Sequence, residues 1–108
     1  MKAHHWDPEV DGPLTAATAT SRLQDLGYRC ACYTYPPGTV FPEHSHELDK
    51  IDLVLKGRFL ICMDQREYLL GEGDYLEIPM GTMHRAAVVG DEEVISIDAE
   101  RLVRGTPE

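Results

Sequence analysis

Short apolar runs separated by turn residues dominate the chain from Tyr28 onward. The runs are rich in Val, Ile, Leu and Tyr, recur at roughly ten-residue spacing, and have no helical segment between them. This pattern predicts seven or eight strands in an antiparallel sandwich or barrel. The runs are YRCACYTY, IDLVLKG, RFLICM, REYLL, DYLEI, RAAVV and EVISIDA.

The chain before Tyr28 follows a different pattern. Residues 1–13 mix two prolines and a glycine with polar residues, which predicts an irregular arm. The arm holds the single tryptophan, Trp6, and we expect this side chain to dock on the domain. From Thr15 to Leu26 the apolar residues recur at helical spacing, and Gly27 follows as a C-terminal stop, so this segment predicts a short helix.

Length and composition indicate one globular domain. The chain has 108 residues, of which 43% are hydrophobic and 27% are charged. This length allows a real hydrophobic core and is too short for two domains. We expect residues 1–27 to form the arm and helix, and residues 28–108 to form the β-barrel.

Charge and cysteine content exclude several classes of partner. A net charge of -9 argues against nucleic acid, because a phosphate backbone binds basic surfaces. No segment approaches the roughly 20 apolar residues that span a bilayer, and the N-terminal sequence lacks the apolar core of a secretory signal.

The three cysteines, Cys30, Cys32 and Cys62, have no redox-motif spacing. We therefore expect reduced thiols and a cytoplasmic protein without a membrane partner.

Two stretches that are distant in sequence carry candidate chemistry. In PEHSHELDK, His44 and His46 lie two residues apart, and alternation along a strand would point both side chains to one side, where they can share a metal ion. In GDYLEIPMGTMH, Pro79 and Gly81 predict a sharp corner between two strands, and His84 follows it. Without a metal, the first two histidines would be exposed and His84 would hydrogen-bond to the backbone.

Together these stretches resemble the two motifs of the cupin superfamily. The first motif is Gly, five residues, His-x-His, three or four residues, Glu, six residues and Gly. Residues 38–57 match it, except that Lys50 stands at the Glu position. The second motif is Gly, five residues, Pro-x-Gly, two residues, His, three residues and Asn, and residues 73–84 match it, with Val88 at the Asn position. The short spacing between the motifs is similar to that of small single-domain bacterial cupins of the cupin-2 type.

The resemblance covers roughly residues 28–99 and implies an all-β fold. This fold is an antiparallel double-stranded β-helix, or jelly-roll barrel, here with one short N-terminal helix. The resemblance also implies a homodimer and a divalent transition metal, Fe, Mn, Ni or Zn, with His44, His46 and His84 as ligands. Cupins include dioxygenases, isomerases, epimerases, lyases and decarboxylases as well as binding and sensory proteins, so the fold does not fix the function.

The orientation of the strand around Lys50 can be predicted in two ways. Simple alternation buries Ile51, Leu53 and Leu55 and sends Lys50 and Asp52 to solvent. The resemblance implies the opposite: the even positions from 44 to 54 face the barrel cavity, and the odd positions face a partner or a covering segment. We prefer the second orientation because of the motif match.

Four arrangements of the metal site remain open. The three histidines hold the metal with water, and Lys50 lies at the rim. Alternatively, a bulge turns Asp49 inward as a carboxylate ligand, or Asp52 is the fourth ligand, or the cavity is a metal-free pocket. In each case Asp49 or Asp52 can provide the partner that a buried ammonium requires.

Lys50 and Asp52 are the candidate catalytic residues. A neutral Lys50 beside a metal would serve as a general base or nucleophile, and a charged one would hold a substrate carboxylate or stabilise an enolate. An ion pair between Lys50 and Asp52 without a catalytic part is the alternative. Three functions follow: a metalloenzyme acting on a small molecule, a metabolite-binding or sensory module, and a structural dimer with a vestigial site.

Overall fold

Nine strands and two helical segments make up residues 2–102, the part of the chain that this computed structural model describes. In chain order they are β1 (Ala3–His5), α1 (Pro8–Asp11), α2 (Ala16–Asp25), β2 (Tyr28–Tyr35), β3 (Val40–His44), β4 (Lys50–Lys56), β5 (Arg58–Met63), β6 (Arg66–Leu70), β7 (Asp74–Ile78), β8 (His84–Val89) and β9 (Val94–Arg101).

The strands form two antiparallel sheets. One sheet has five strands in the order β1-β7-β4-β9-β2, and the other has four in the order β3-β8-β5-β6. The two sheets are not hydrogen-bonded into one closed barrel. The predicted all-β jelly-roll fold is confirmed, and the seven predicted runs correspond to β2 and β4–β9.

Apolar residues alternate along the strands and build two hydrophobic clusters, one on each face of the five-stranded sheet. The first cluster lies between the sheets and includes Val54, Phe59 and Leu76. The second lies under the N-terminal segment and includes Ile51 and Leu53. Strand β4 is therefore buried on both faces: its odd positions face the covering segment and its even positions face the space between the sheets. This is the orientation that the resemblance implied. Simple alternation correctly predicted the burial of Ile51 and Leu53, but its prediction that Lys50 and Asp52 face solvent is wrong.

The N-terminal arm is more regular than the sequence indicated. Strand β1 pairs antiparallel with β7, and α1 is a single helical turn capped by the Asp7 carboxylate, which accepts from Glu9 N. The prediction of an irregular arm is wrong because segments this short carry no periodic signal. The predicted docking of Trp6 is confirmed: its side chain is buried, its backbone N–H donates to the Gly73 carbonyl at 2.8 Å, and its Nε1–H donates to the Gly12 carbonyl at 2.7 Å.

The predicted helix is present as α2. The Thr18 N–H donates to the Thr15 hydroxyl oxygen at 3.1 Å, which makes Thr15 the N-cap. Ala19 and Leu23 face the five-stranded sheet and are buried. Gly27, just beyond the helix, has a φ of 96°, a conformation that glycine adopts without strain.

The segment between residues 40 and 56 differs from its prediction. We expected one regular strand to carry positions 44 to 54, but β3 ends at His44 and β4 begins only at Lys50. Strand β3 was not among the predicted runs because Pro42 and a bulge between Phe41 and His44 interrupt its alternation. His46 lies in the connection between the two strands.

Two smaller expectations concern membranes and thiols. Each helix within residues 2–102 is too short or too polar to cross a bilayer. Cys30, Cys32 and Cys62 are free thiols, as is typical of proteins in a reducing compartment. The cytoplasmic location itself stays a prediction.

Removing the Trp6 side chain tests how much the arm contributes to stability. Trp6→Ala leaves a cavity in the second hydrophobic cluster, under the N-terminal segment, and removes the hydrogen bond to the Gly12 carbonyl. We therefore expect the free energy of unfolding to fall by about 3–5 kcal/mol. Denaturant unfolding measures this change. Val10→Ala, on the exposed side of α1, is the matched control and should change stability by less than about 0.5 kcal/mol. Equal effects of the two substitutions would show that the arm contributes little.

Candidate metal centre

Three histidines from the two predicted motifs converge at one end of the space between the sheets. His44 ends β3 and is the register partner of His84, which begins β8. One ligand nitrogen from each of His44, His46 and His84 lies within 4.8 Å of the other two. Among residues 2–102, no other group of three or more His, Cys, Asp or Glu residues has this arrangement. His4 and His5 take no part, because they contact the carboxylates of β7.

Local backbone features place these side chains. The bulge in β3 shifts the register by one residue just before His44, and Pro42 within the bulge has no N–H that would need a ladder partner. The corner before β8 requires a left-handed residue, and Gly81 has a φ of 80°. The Gly81 N–H also donates to the His46 carbonyl at 2.9 Å. The two motifs are thus tied together through their main chains.

Backbone carbonyls orient two of the three imidazole rings. Nδ1 of His44 lies 2.7 Å from the Pro42 carbonyl oxygen, and Nδ1 of His84 lies 2.9 Å from the Thr82 carbonyl oxygen. A carbonyl only accepts, so each Nδ1 carries the proton and each Nε2 keeps a free lone pair. Metal-ligating histidines are held in this way in proteins.

The electrostatic surroundings favour neutral rings at His46 and His84. Burial lowers the pKa of His46, and the neighbouring charge of Lys50 lowers it further. Burial also lowers the pKa of His84, although the bond to the Thr82 carbonyl opposes the shift. Neutral imidazoles are the form that binds a metal. Three imidazole nitrogens at these separations therefore fit a divalent transition metal.

No carboxylate of residues 2–102 joins the three histidines. The hypothesis that a bulge turns Asp49 inward is wrong: Asp49 Oδ1 accepts from the Met80 N–H at 2.7 Å, and Oδ2 lies 4.0 Å from Nε of Arg101. Asp52 lines the same cavity but does not belong to the group of convergent ligand atoms. The arrangement that the geometry favours is the one with three histidines alone.

Lys50 lies inside the cavity and pairs with a residue that the sequence analysis missed. Its Nζ lies 2.6 Å from Oδ1 of Asp98, and its side chain is only 11% exposed. The expectation of Asp49 or Asp52 as the partner is wrong, because β9 lies beside β4 and places Asp98 opposite Asp52. Its alternation with Val94 and Ser96 in the run EVISIDA could have pointed to Asp98, because alternate residues of a strand share a face and these two are buried.

A cavity of about 230 Å³ adjoins the three histidines. Its polar lining consists of the histidines with Lys50, Asp52 and Asp98. Tyr35, Phe41 and Phe59 also line the cavity and contact one another, with ring centroids 4.9 to 6.0 Å apart, and we call these three residues the aromatic wall. The cavity therefore combines an apolar surface with a titratable one, as small-molecule sites do.

Asp52 has a strongly shifted pKa. Burial and, to a smaller extent, the Asp98 carboxylate raise the pKa of Asp52 to about 7, although the Lys50 ammonium opposes the shift. Burial likewise raises the pKa of Tyr35, with contributions from both aspartates. Near neutral pH, Asp52 therefore exchanges readily between a proton donor and a proton acceptor.

Comparisons with known proteins agree with this geometry. The chain matches the Cupin domain family over residues 31–100. Germin-like protein subfamily 1 member 4 from Arabidopsis thaliana is 31% identical over 86 residues, which cover 71% of this chain and 39% of that protein. The chain thus spans about two fifths of the length of this curated relative.

Solved structures show the same fold. KdgF from Halomonas sp. has a TM-score of 0.65 and 28% identity, with 72% of each chain covered. A cupin-like protein from Thermotoga maritima has a TM-score of 0.63 and 25% identity, with 69% of this chain and 57% of that chain covered. A cupin superfamily protein from Desulfitobacterium hafniense has a TM-score of 0.62 and 20% identity, with 70% of this chain and 68% of that chain covered. At this identity the likeness supports the fold alone. The family match, the two-sheet fold and the convergent histidines show that this chain belongs to the cupin family.

Proposed function

We propose that His44, His46 and His84 hold one divalent transition metal, Fe, Mn, Ni or Zn, and that the protein acts on a small molecule bound in the adjoining cavity. The observation that carries this proposal is the pair of Nδ1 contacts to backbone carbonyls, which leave the two Nε2 lone pairs free for a ligand. The third histidine, His46, brings a third ligand nitrogen within 4.8 Å of the other two.

When bound, the metal would supply Lewis-acid chemistry or, if redox-active, electron transfer. Asp52 is the proposed proton-transfer residue, because burial brings the pKa of its carboxyl to about 7 beside the cavity. Lys50 is the proposed cation of the site: the ion pair with Asp98 supports a charged ammonium, rather than a base or nucleophile. The aromatic wall would exclude water from the reacting groups.

The second candidate function is binding of a small metabolite without turnover, at a site whose metal is weakly held or absent. Lys50 supports this alternative, because an ammonium in the same cavity repels a dication and lowers its affinity. Metal content decides first between the two candidates, and turnover of substrate by the metal-loaded protein decides next.

The metal assignment is tested by elemental analysis of protein purified without a tag. We expect about one metal ion per chain, and His84→Ala should weaken metal affinity by about 100-fold or more, because it removes a direct ligand. His5→Ala is the matched control, since His5 pairs with Asp74 on β7 outside the site. Wild-type protein that takes up no metal even after loading would contradict the proposed function.

The protonation of Asp52 predicts a dependence of stability on pH. Its pKa rises from 3.8 unfolded to about 7 folded, so its favourable contribution is complete below about pH 4 and is lost as the pH rises through 7. Asp52→Asn removes the cost of ionising this carboxyl in the folded state. The gain in free energy of unfolding of the variant over wild type should therefore be larger at pH 8 than at pH 4, by up to ~4 kcal/mol. Denaturant unfolding at both pH values measures it, with the exposed Asp91→Asn as control. Equal pH profiles of wild type and Asp52→Asn would contradict the assignment.

We also propose that the protein is a homodimer formed through the outer face of the four-stranded sheet. On this face Val40, Ala87, Leu60 and Leu69 are register neighbours and form one apolar row across all four strands. Val40 is 69% exposed and Leu69 is 54% exposed, so the row is open at both ends. An apolar row of this kind is a typical interaction surface.

The neighbouring row supports a second copy as the partner. It carries Arg85 on β8, Cys62 on β5 and Glu67 on β6, in register. A two-fold axis along β5 would place Arg85 of one copy opposite Glu67 of the other, and Leu60 opposite its own equivalent. The face is therefore complementary to itself in charge and in apolar surface.

A charge exchange tests this interface. We expect Arg85→Glu to shift the protein toward the monomer in analytical ultracentrifugation, because it places two glutamates opposite each other. Arg85→Glu combined with Glu67→Arg should restore the dimer, because each contact again joins an arginine to a glutamate. Val10→Glu, a charge placed on α1 away from this face, should leave the dimer intact. A wild-type monomer at micromolar concentration, or no rescue in the double variant, would contradict the proposal.

A further inference from the structure

We infer that the cavity takes a small organic carboxylate with an apolar body, whose oxygens are shared between the metal and Lys50 and whose body lies on the aromatic wall. This inference rests on the proposed function, because it takes the three histidines as the metal ligands. It adds the class of ligand, which neither the fold nor the family match specifies.

The first argument is the charge of the site. Imidazoles that ligate a metal are neutral and contribute no charge, and the Lys50–Asp98 pair contributes none in sum. A divalent ion would therefore carry two positive charges into the cavity, and among residues 2–102 no carboxylate is placed to ligate it. An uncompensated charge in a poorly solvated space is costly. Asp52, whose carboxyl lies in the cavity with a pKa of about 7, can offset at most one of the two positive charges, so a ligand that carries a negative charge completes the balance.

The second argument is the spare hydrogen-bonding capacity of Lys50. An ammonium has three N–H donors. Within residues 2–102, Asp98 is the only carboxylate within 4.0 Å of its Nζ, which leaves two donors for other acceptors. The side chain lines the cavity together with the three histidines and is 11% exposed, so few waters can reach it. Carboxylate oxygens are the acceptors that bond most strongly to an ammonium.

The third argument is the size and apolar lining of the cavity. Tyr35, Phe41 and Phe59 are in mutual contact and line it, as do Ile78 and Ala86. A cavity of about 230 Å³ is smaller than the roughly 300–1,000 Å³ of sites for drug-sized ligands. The ligand is therefore compact, with one charged end and an apolar or aromatic body.

The two aspartates do not repel such a ligand. Asp98 is already paired with Lys50 at 2.6 Å. Asp52 accepts a proton readily because burial raises the pKa of its carboxyl. A protonated Asp52 would be a hydrogen-bond donor toward the carboxylate of the ligand.

The experiment uses the Zn²⁺-loaded full-length protein and three probes in isothermal titration calorimetry: benzoate, its neutral analogue benzamide, and acetate. We expect benzoate to bind at least ~10-fold more tightly than benzamide, because the charge is required, and more tightly than acetate, because the aromatic wall contributes. Equal binding of benzoate and benzamide would overturn the inference.

Two substitutions of Lys50 sharpen the test. Lys50→Met keeps the length of the side chain and removes its charge, so benzoate affinity should fall about 10-fold while Zn²⁺ stays bound. Lys50→Glu places a carboxylate beside the histidines, so Zn²⁺ affinity should rise and benzoate binding should be lost. Lys56→Met is the matched control, because Lys56 lies on the same strand and pairs with Glu93 outside the cavity. Equal benzoate affinities of the Lys50→Met and Lys56→Met variants would contradict the role of Lys50.

Two further variants cover the remaining outcomes. If Lys50→Met is destabilised by an unpaired Asp98, Lys50→Met combined with Asp98→Asn removes both charges, and it should show the same loss of benzoate affinity. Phe41→Leu should reduce the preference for benzoate over acetate without changing Zn²⁺ affinity. Wild-type protein that holds Zn²⁺ but does not distinguish benzoate from benzamide overturns this inference alone, whereas wild-type protein that holds no Zn²⁺ overturns the proposed function as well.

Discussion

The burial of β4 on both of its faces constrains the whole molecule. On one face Ile51 and Leu53 pack under Trp6 and α2, and on the other face Lys50 and Asp52 point into the space between the sheets. The charged side chains at Lys50 and Asp52 are largely shielded from bulk water, so their charges must be paired or neutralised. The pairing of Lys50 with Asp98 and the raised pKa of Asp52 are two responses to this one constraint.

The convergence of the three histidines depends on backbone geometry more than on packing of side chains. The bulge before His44, the left-handed Gly81 and the bond from Gly81 to the His46 carbonyl together fix how the two motif segments meet. The carbonyls of Pro42 and Thr82 then set the proton positions on two rings. Because main-chain atoms do this, the cavity lining can vary while the histidines stay in place. Variation of the lining on a fixed scaffold is one physical route to different functions on one fold.

Much of this organisation could be predicted from the sequence. Alternating apolar runs gave seven strands, the capping pattern gave α2, and the two motifs gave the three histidines. Short elements were missed: β1 and α1 are too brief for a periodic signal, and Pro42 interrupts that of β3. Asp98 and the two phenylalanines of the aromatic wall, Phe41 and Phe59, were also missed, because their position depends on which strands become neighbours. Strand β9 lies beside β4 although more than 30 residues separate them in the chain.

Asp52 and Asp98 lie directly opposite each other on β4 and β9. Like charges in such a cross-strand pair destabilise a sheet, so this position lowers the stability of the fold that contains it. Selection for stability alone would replace one or both of these residues by apolar ones. The pair therefore marks a place where stability and the proposed proton transfer oppose each other. Consensus or thermostability engineering of this scaffold would tend to remove the pair first, and would give a more robust protein with an altered cavity.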